Sequence, residues 1–305
     1  MRRDAGHPVS ERLTMDPATL ARIGNLELVA RWVVEGFVSG LHRSPHLGFS
    51  TDFAEHRPYV PGDDIRHVDW RVFARTERTY LKTYEADTNT NFTVLLDVSA
   101  SMGYGHGGIA KLAYAKLVAA TLSWFSRRQR DRVGLVTFAD DLREIIPPSA
   151  RHLPNVLHAL ERATAGGGGA LARPLARIAQ SQPRRGIFVL ISDLYEPAAD
   201  VQRALAPLTG AGHDVIVIHV LDAAERAFPF QDAATFRDLE SGERLPVSPG
   251  KVRERYVAAM EAHLGAMRAK LGGGRVDYSL VETSQPLDRV LFDVLLRREF
   301  LRTAV

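Results

Sequence analysis

The stretch Phe92-Thr93-Val94-Leu95-Leu96-Asp97-Val98-Ser99-Ala100-Ser101-Met102-Gly103 decides how this chain folds. Its first half is a strand-length, near-continuous apolar run, the pattern of a strand buried on both faces. It ends abruptly in a carboxylate followed by two hydroxyls at alternate positions. Outward from it, similar runs recur at Val133–Phe138, Ile187–Ser192, Val215–Leu221 and Val276–Val281. Helix-like stretches separate them: Lys111–Arg127, His152–Ala163, Leu171–Ser181, Ala199–Leu208, Val252–Leu271 and Leu287–Phe300. Buried strands alternating with helices predict right-handed crossovers and a doubly wound, mostly parallel α/β sheet covered on both faces. Arg143–Ile146 follows Phe138 too closely for a crossover and is expected as an antiparallel edge strand. Residues 226–248 interrupt the alternation, and Phe236-Arg237-Asp238-Leu239-Glu240-Ser241-Gly242-Glu243 suggests a small hairpin insertion there.

Before this domain the pattern differs. Residues 1–15 read as a flexible polar N-terminus. Asp16-Pro17 is a helix start, a capping acceptor followed by proline at the first helical position. Apolar positions from Leu20 to Phe37 then recur at helical spacing up to Gly40. Residues 41–90 are dense in charge and turn residues, with a β-like piece at Thr79–Tyr84. The predicted organisation is therefore a lead-in segment over 16–90 and an α/β domain over 91–305.

Composition removes several function classes. The chain has 305 residues and no cysteine, which excludes disulfides, zinc–thiolate sites, iron–sulfur clusters and thiol nucleophiles. The longest clear apolar run, Ile187–Ile191, is strand length and far short of a membrane span. Met1-Arg2-Arg3-Asp4 lacks the apolar stretch of a secretory leader, so a cytoplasmic location is expected. The net charge is +3, with 39 basic and 36 acidic residues. The basic residues are dispersed among acids rather than interleaved with aromatics, which makes nucleic-acid binding the weakest of the candidate functions. Gly103-Tyr104-Gly105-His106-Gly107-Gly108 matches a dinucleotide-loop spacing but lies too far beyond Asp97 for that role. No phosphate loop or serine-hydrolase elbow occurs.

The chemistry concentrates at strand ends, where doubly wound folds bind ligands. Asp97, Ser99 and Ser101 leave the first strand, and Ser192-Asp193 ends another, placing a second carboxylate on the same edge. Alone, the first set reads as a loop cap. Paired with Asp193 it reads as a set of hard oxygen donors suited to Mg²⁺ or Mn²⁺.

The run Asp97-x-Ser99-x-Ser101 resembles the metal-ion-dependent adhesion site of von Willebrand factor A-type domains. Arg43-Ser44-Pro45, Gly48–Phe53, Arg57–Trp70, Ala74-Arg75-Thr76, Ile191–Leu194 and Phe236–Glu240 narrow the likeness to the bacterial family named domain of unknown function 58. The resemblance runs from about residue 16 to the end. It implies a von Willebrand A-like binding module, often encoded beside MoxR-type AAA+ ATPases, with an adaptor or chaperone-like role in maturing other proteins. One departure matters. The family's metal site takes a further hydroxyl from a Gly-Gly-Thr turn, whereas the matching turn here is Gly167-Gly168-Gly169. The groove then keeps Asp97, Ser99, Ser101 and Asp193 and lacks an oxygen at Gly169. The resemblance thus implies weak Mg²⁺ or Mn²⁺ binding, completed by water or a partner carboxylate, or none.

Arg57, Asp63, Asp64, Arg66, Asp69, Trp70 and Arg75 form the other concentration of charge. Arginines interleaved with carboxylates suit bidentate locks, and Trp70 offers an apolar anchor, so a structural lock or partner surface is expected. The rival reading is a metal-dependent hydrolase using Asp63, Asp64 and Asp69, with His67 as base. The overall expectation is a non-enzymatic protein–protein interaction module with a degenerate metal site. Its expected partners are a MoxR-type ATPase or a client protein offering an acidic side chain.

Overall fold

The computed structural model describes residues 16–41, 55–58, 79–83, 90–272 and 275–294. Six strands form the central sheet: β3 (Asn91–Asp97), β4 (Arg132–Phe138), β5 (Leu142–Ser149), β6 (Gly186–Ser192), β7 (Asp214–Leu221) and β10 (Val276–Glu282). Their order is β10-β7-β6-β3-β4-β5, parallel except for β5. Chain order reverses direction between β3 and β6, which makes the gap beyond their carboxyl ends the topological switch point.

The inner strands β3, β4, β6 and β7 are largely apolar because both faces are covered. Val94 and Leu96 of β3, with Val189 and Ile191 of β6, join one core layer. Leu95, Phe188 and Leu190, one residue out of phase, join the other. Side chains alternate across a strand, so a run with no polar interruption feeds two cores at once. The first layer is closed by α3 (Lys111–Arg128), α4 (Leu153–Arg162) and helical residues 287–294; the second by α5 (Ala172–Ser181), α6 (Ala198–Gly210) and α8 (Pro249–Leu271).

The edge strand β5 is longer than its sequence pattern suggests and continues through Pro147 and Pro148. Proline is tolerated there because an outer edge needs no ladder donor. Gly134 of β4 lies beneath this crossing; a Cβ there would fall 2.8 Å from both the Ile146 oxygen and the Pro148 nitrogen.

The expected single helix from Asp16 to Gly40 is two. Asp16 caps α1 (Pro17–Ala21) through its side chain, but the chain turns at Gly24, whose φ of +69° is left-handed. Asn25 then accepts from the Leu28 N–H at 2.9 Å and starts α2 (Leu26–Leu41). The lead-in segment is part of the main core: Leu20, Val29, Ala30 and Val34 are buried in the first layer. Between these helices and β3, β1 (Glu55–Pro58) pairs antiparallel with β2 (Tyr80–Thr83), as the β-like piece predicts. The expected insertion is a hairpin of β8 (Ala234–Arg237) and β9 (Arg244–Val247), preceded by α7 (Ala223–Ala227).

Candidate functional site

The candidate groove is built by three loops at the carboxyl edge. The first leaves β3 at Asp97, which is almost fully buried. Its Oδ1 accepts from the Ser99 N–H at 2.8 Å, turning the chain into a short 3₁₀ turn over Ala100–Gly103. That turn brings the Ser99 and Ser101 hydroxyls 3.1 Å apart. The second loop follows β6. Ser192 donates its hydroxyl to Asp97 Oδ2 at 2.6 Å and accepts from the Leu194 N–H at 3.2 Å. Leu194 itself sits at φ +47°, a conformation L side chains rarely hold, so the loop stores backbone strain next to Asp193.

The third loop is the glycine turn. Gly166 donates to the Val98 carbonyl at 2.8 Å, and Ala100 donates to the Gly167 carbonyl at 3.0 Å. Gly167 has φ +86°, which explains a glycine at that position. Gly169 has a different reason. Its N–H donates to Glu240 Oε2 at 3.0 Å, and a Cβ on it would stand 2.8 Å from Glu240 Oε1. Glu240 comes from the β8–β9 turn, where Asp238 Oδ1 accepts from the N–H groups of Glu240 and Ser241 at 2.7 and 2.9 Å.

These loops enclose a cavity of about 220 Å³ whose lining includes Asp97, Ser99, Gly169, Asp193, Glu196 and Glu240. Among the described residues, four carboxylates face it and no Lys, Arg or His does. Burial, and secondarily the Asp193 charge, push the Asp97 carboxyl up to about 6, against the opposing hydrogen bonds from Ser192 and Ser99.

Lys111 lies behind this wall. It is fully buried at the start of α3, with Nζ 2.7 Å from Asp193 Oδ2 and 2.6 Å from Glu225 Oε1. The ring of Tyr195 lies beside it, with Nζ 4.8 Å from the ring centroid. Tyr195 donates its hydroxyl to Glu225 Oε1 at 2.6 Å; burial, followed by the Glu225 and Asp193 charges, drives its pKa strongly upward. Glu225 Oε2 also accepts from the Asp222 N–H at 2.8 Å, completing a capping box on α7.

The structure therefore brings Asp97, Ser99, Ser101, Gly169 and Asp193 to one edge, as the strand-end argument expects. It differs on availability, because Asp193 Oδ2 is engaged by Lys111. Arg57 lies in β1 opposite Leu81. Asp63, Asp64, Arg66, His67, Asp69, Trp70 and Arg75 lie outside the described residues. The glycines of the 103–108 loop have local roles: a Cβ on Gly105 would fall 2.7 Å from the Ala110 Cα, and Gly107 has φ +70°. Sequence reasoning missed Lys111, Tyr195, Glu225 and Glu240. Glu240 stood inside a quoted motif, but nothing local pointed it toward Gly169.

The donor set can be tested against a hard divalent cation. Among the described residues no three His, Asp or Glu side chains converge as a metal-holding group. Two hydroxyls 3.1 Å apart nevertheless match the roughly 2.9 Å edge of an octahedron with metal–oxygen distances near 2.05 Å. One carboxylate, two hydroxyls and a cation-attracting cavity fit Mg²⁺ or Mn²⁺ retaining several waters. Asp97, Ser99 and Ser101 are the residues that would hold it.

An α/β domain with a strand-end groove at the switch point of a six-stranded sheet is the class that fold and site define. Residues 55–265 match the family described as "Protein of unknown function DUF58", and the chain belongs to that family. Uncharacterized proteins of Mycobacterium bovis and Mycobacterium tuberculosis are each 29% identical over 257 residues, covering 81% of this chain and 80% of theirs. Among solved structures, an aerotolerance-related membrane protein from Bacteroides fragilis aligns at 20% identity and a TM-score of 0.47, covering 67% of this chain and 97% of that one. The von Willebrand A domain of SpRpn10 aligns at 13% identity and a TM-score of 0.39, covering 66% and 94%. No helix among the described residues is long and apolar enough to cross a membrane.

Proposed function

We propose that this protein is a non-enzymatic protein–protein interaction module whose binding groove is the carboxyl edge between β3 and β6. It would act with a MoxR-type AAA+ ATPase in a chaperone-like or maturation role. The observation that carries the reading is the Asp97–Ser99–Ser101 turn, whose two hydroxyls and one carboxylate border a cavity faced, among the described residues, by acids and by no basic side chain. Such a surface attracts a cation, and a bound Mg²⁺ or Mn²⁺ supplies electrostatic attraction for an acidic side chain of a partner. The chain's own part is positional: Ser99 and Ser192 hold Asp97 in place from two loops.

A binding role is also supported by how the potential acids and bases are used. Lys111, Glu225, Tyr195 and Asp193 are locked into one network around the buried Lys111, and Asp97 is tied to the Ser99 amide and the Ser192 hydroxyl. Groups held this way serve rigidity and charge balance rather than proton transfer to a bound substrate.

The test is affinity capture with the full chain as bait and a MoxR-type ATPase encoded by the same genome as prey. Capture that falls at least tenfold with EDTA and in Asp97→Ala, with the far-UV spectrum unchanged, supports the reading. Capture equal with and without EDTA removes the cation from it, and no capture removes the named partner.

A further inference from the structure

We propose that Glu240, from the β8–β9 hairpin, is an in-chain oxygen ligand of the groove's cation, standing where the resemblance implies a hydroxyl and Gly169 supplies none. This inference rests on the divalent-cation version of the reading above and assigns that site a further residue.

Three observations converge on it. The first is steric. A Cβ at position 169 would lie 2.8 Å from Glu240 Oε1, closer than real Cβ atoms approach any oxygen. A side chain at 169 would displace the flexible end of Glu240 from its present place, so the glycine leaves that place to the carboxylate. The second is directional. Glu240 Oε2 accepts the Gly169 N–H at 3.0 Å, which anchors the carboxylate at the mouth of the cavity. The hairpin turn is braced for this by Asp238, which accepts from the Glu240 and Ser241 amides. The third is electrostatic. Glu240 lines the same cavity as Asp97 and Ser99, and no basic side chain of the described residues faces it there. Glu196, another acid of that lining, is held by the Leu171 N–H at 2.8 Å, and Asp193 by Lys111. Among the described residues Glu196 and Glu240 each have one amide as partner; that of Glu240 is Gly169, and its exposed carboxylate borders the same cavity as Asp97, where a cation would meet both.

A carboxylate in that place differs as a donor from the hydroxyl that the resemblance implies. A hydroxyl is a neutral donor, whereas a carboxylate adds a full negative charge to the shell. The hairpin would also be tied to the groove by the cation, so two elements 71 residues apart in sequence would close over one ion.

The experiment is calorimetric titration of the full chain with Mn²⁺, comparing wild type, Glu240→Gln, Gly169→Thr and Gly169→Thr/Glu240→Gln, with thermal melts of each as a folding control. Glutamine keeps an acceptor for the Gly169 N–H while removing the charge. The expected result is one Mn²⁺ bound by wild type, at least tenfold weaker binding by Glu240→Gln, and partial recovery in the double variant, where a threonine hydroxyl returns. Wild-type binding matched within twofold by Glu240→Gln would overturn the role of Glu240 and leave the cation site standing. No Mn²⁺ uptake by any variant would overturn both.

Discussion

Replacing Lys111 with methionine isolates the energetics of the site's buried charge. The side chain is fully buried, and Asp193 and Glu225 have side-chain exposures of 4% and 10%. Methionine keeps much of the volume and removes the counter-charge, so the cost is that of orphaned carboxylates rather than of a cavity. Breaking a buried pair costs about 3–5 kcal/mol. The two acids do not share that loss equally. Glu225 retains the Tyr195 hydroxyl at 2.6 Å and the Asp222 N–H at 2.8 Å, whereas Lys111 is the main support of the Asp193 carboxylate. Lys111→Met/Asp193→Asn should therefore regain most of the stability lost in Lys111→Met, while Lys111→Met/Glu225→Gln regains less than about 1 kcal/mol. Urea unfolding with a double-mutant cycle measures both couplings. A Lys111→Met midpoint within about 1 kcal/mol of wild type, or a larger coupling to Glu225 than to Asp193, would refute the reasoning.

Three further outcomes follow from other positions. Burial, followed by the charge of His263, lowers the His219 pKa to about 3, with Lys111 and Arg268 adding to the effect and Tyr278 bonded to Nδ1 at 2.8 Å. An unfolded histidine takes a proton near pH 6.5, so this contribution is complete above 6.5 and lost as pH falls toward 3, with about 2 kcal/mol lost by pH 5. His219→Phe should flatten the pH dependence of the urea midpoint between pH 7 and 5; an unchanged slope would count against it. Gly134→Ala pushes a Cβ against two backbone atoms 2.8 Å away and should cost about 1–3 kcal/mol in thermal or urea unfolding. Tyr114→Phe removes the 2.7 Å hydrogen bond to the Gln285 carbonyl, tying α3 to the chain after β10; a loss of about 1 kcal/mol is expected by the same assay.

Much of the fold was legible because it rests on local pattern. Apolar runs such as Val94–Leu96 had to be covered on both faces, and the structure divides them between two layers. The short link after Phe138, three residues before Leu142, left β5 no route but antiparallel pairing. The break between α1 and α2 was less visible, since the apolar spacing continues across Gly24 while its left-handed backbone ends the helix. At the site, strand periodicity put Asp97 and Asp193 at equivalent strand ends. It carried no information about Lys111, which looked like one of five scattered lysines, or about Glu240 on a hairpin turn.

What the sequence by itself determined, then, is the layer architecture and the edge on which the oxygen donors gather, because both follow from periods of two and 3.6 and from where apolar runs stop. Which donors are available was decided only by tertiary structure. Lys111 meets Asp193 across 82 residues, and Glu240 meets Gly169 across 71. Contact at a few ångströms has no sequence period, so only the folded chain could show that the space beside Gly169 is occupied by the Glu240 carboxylate.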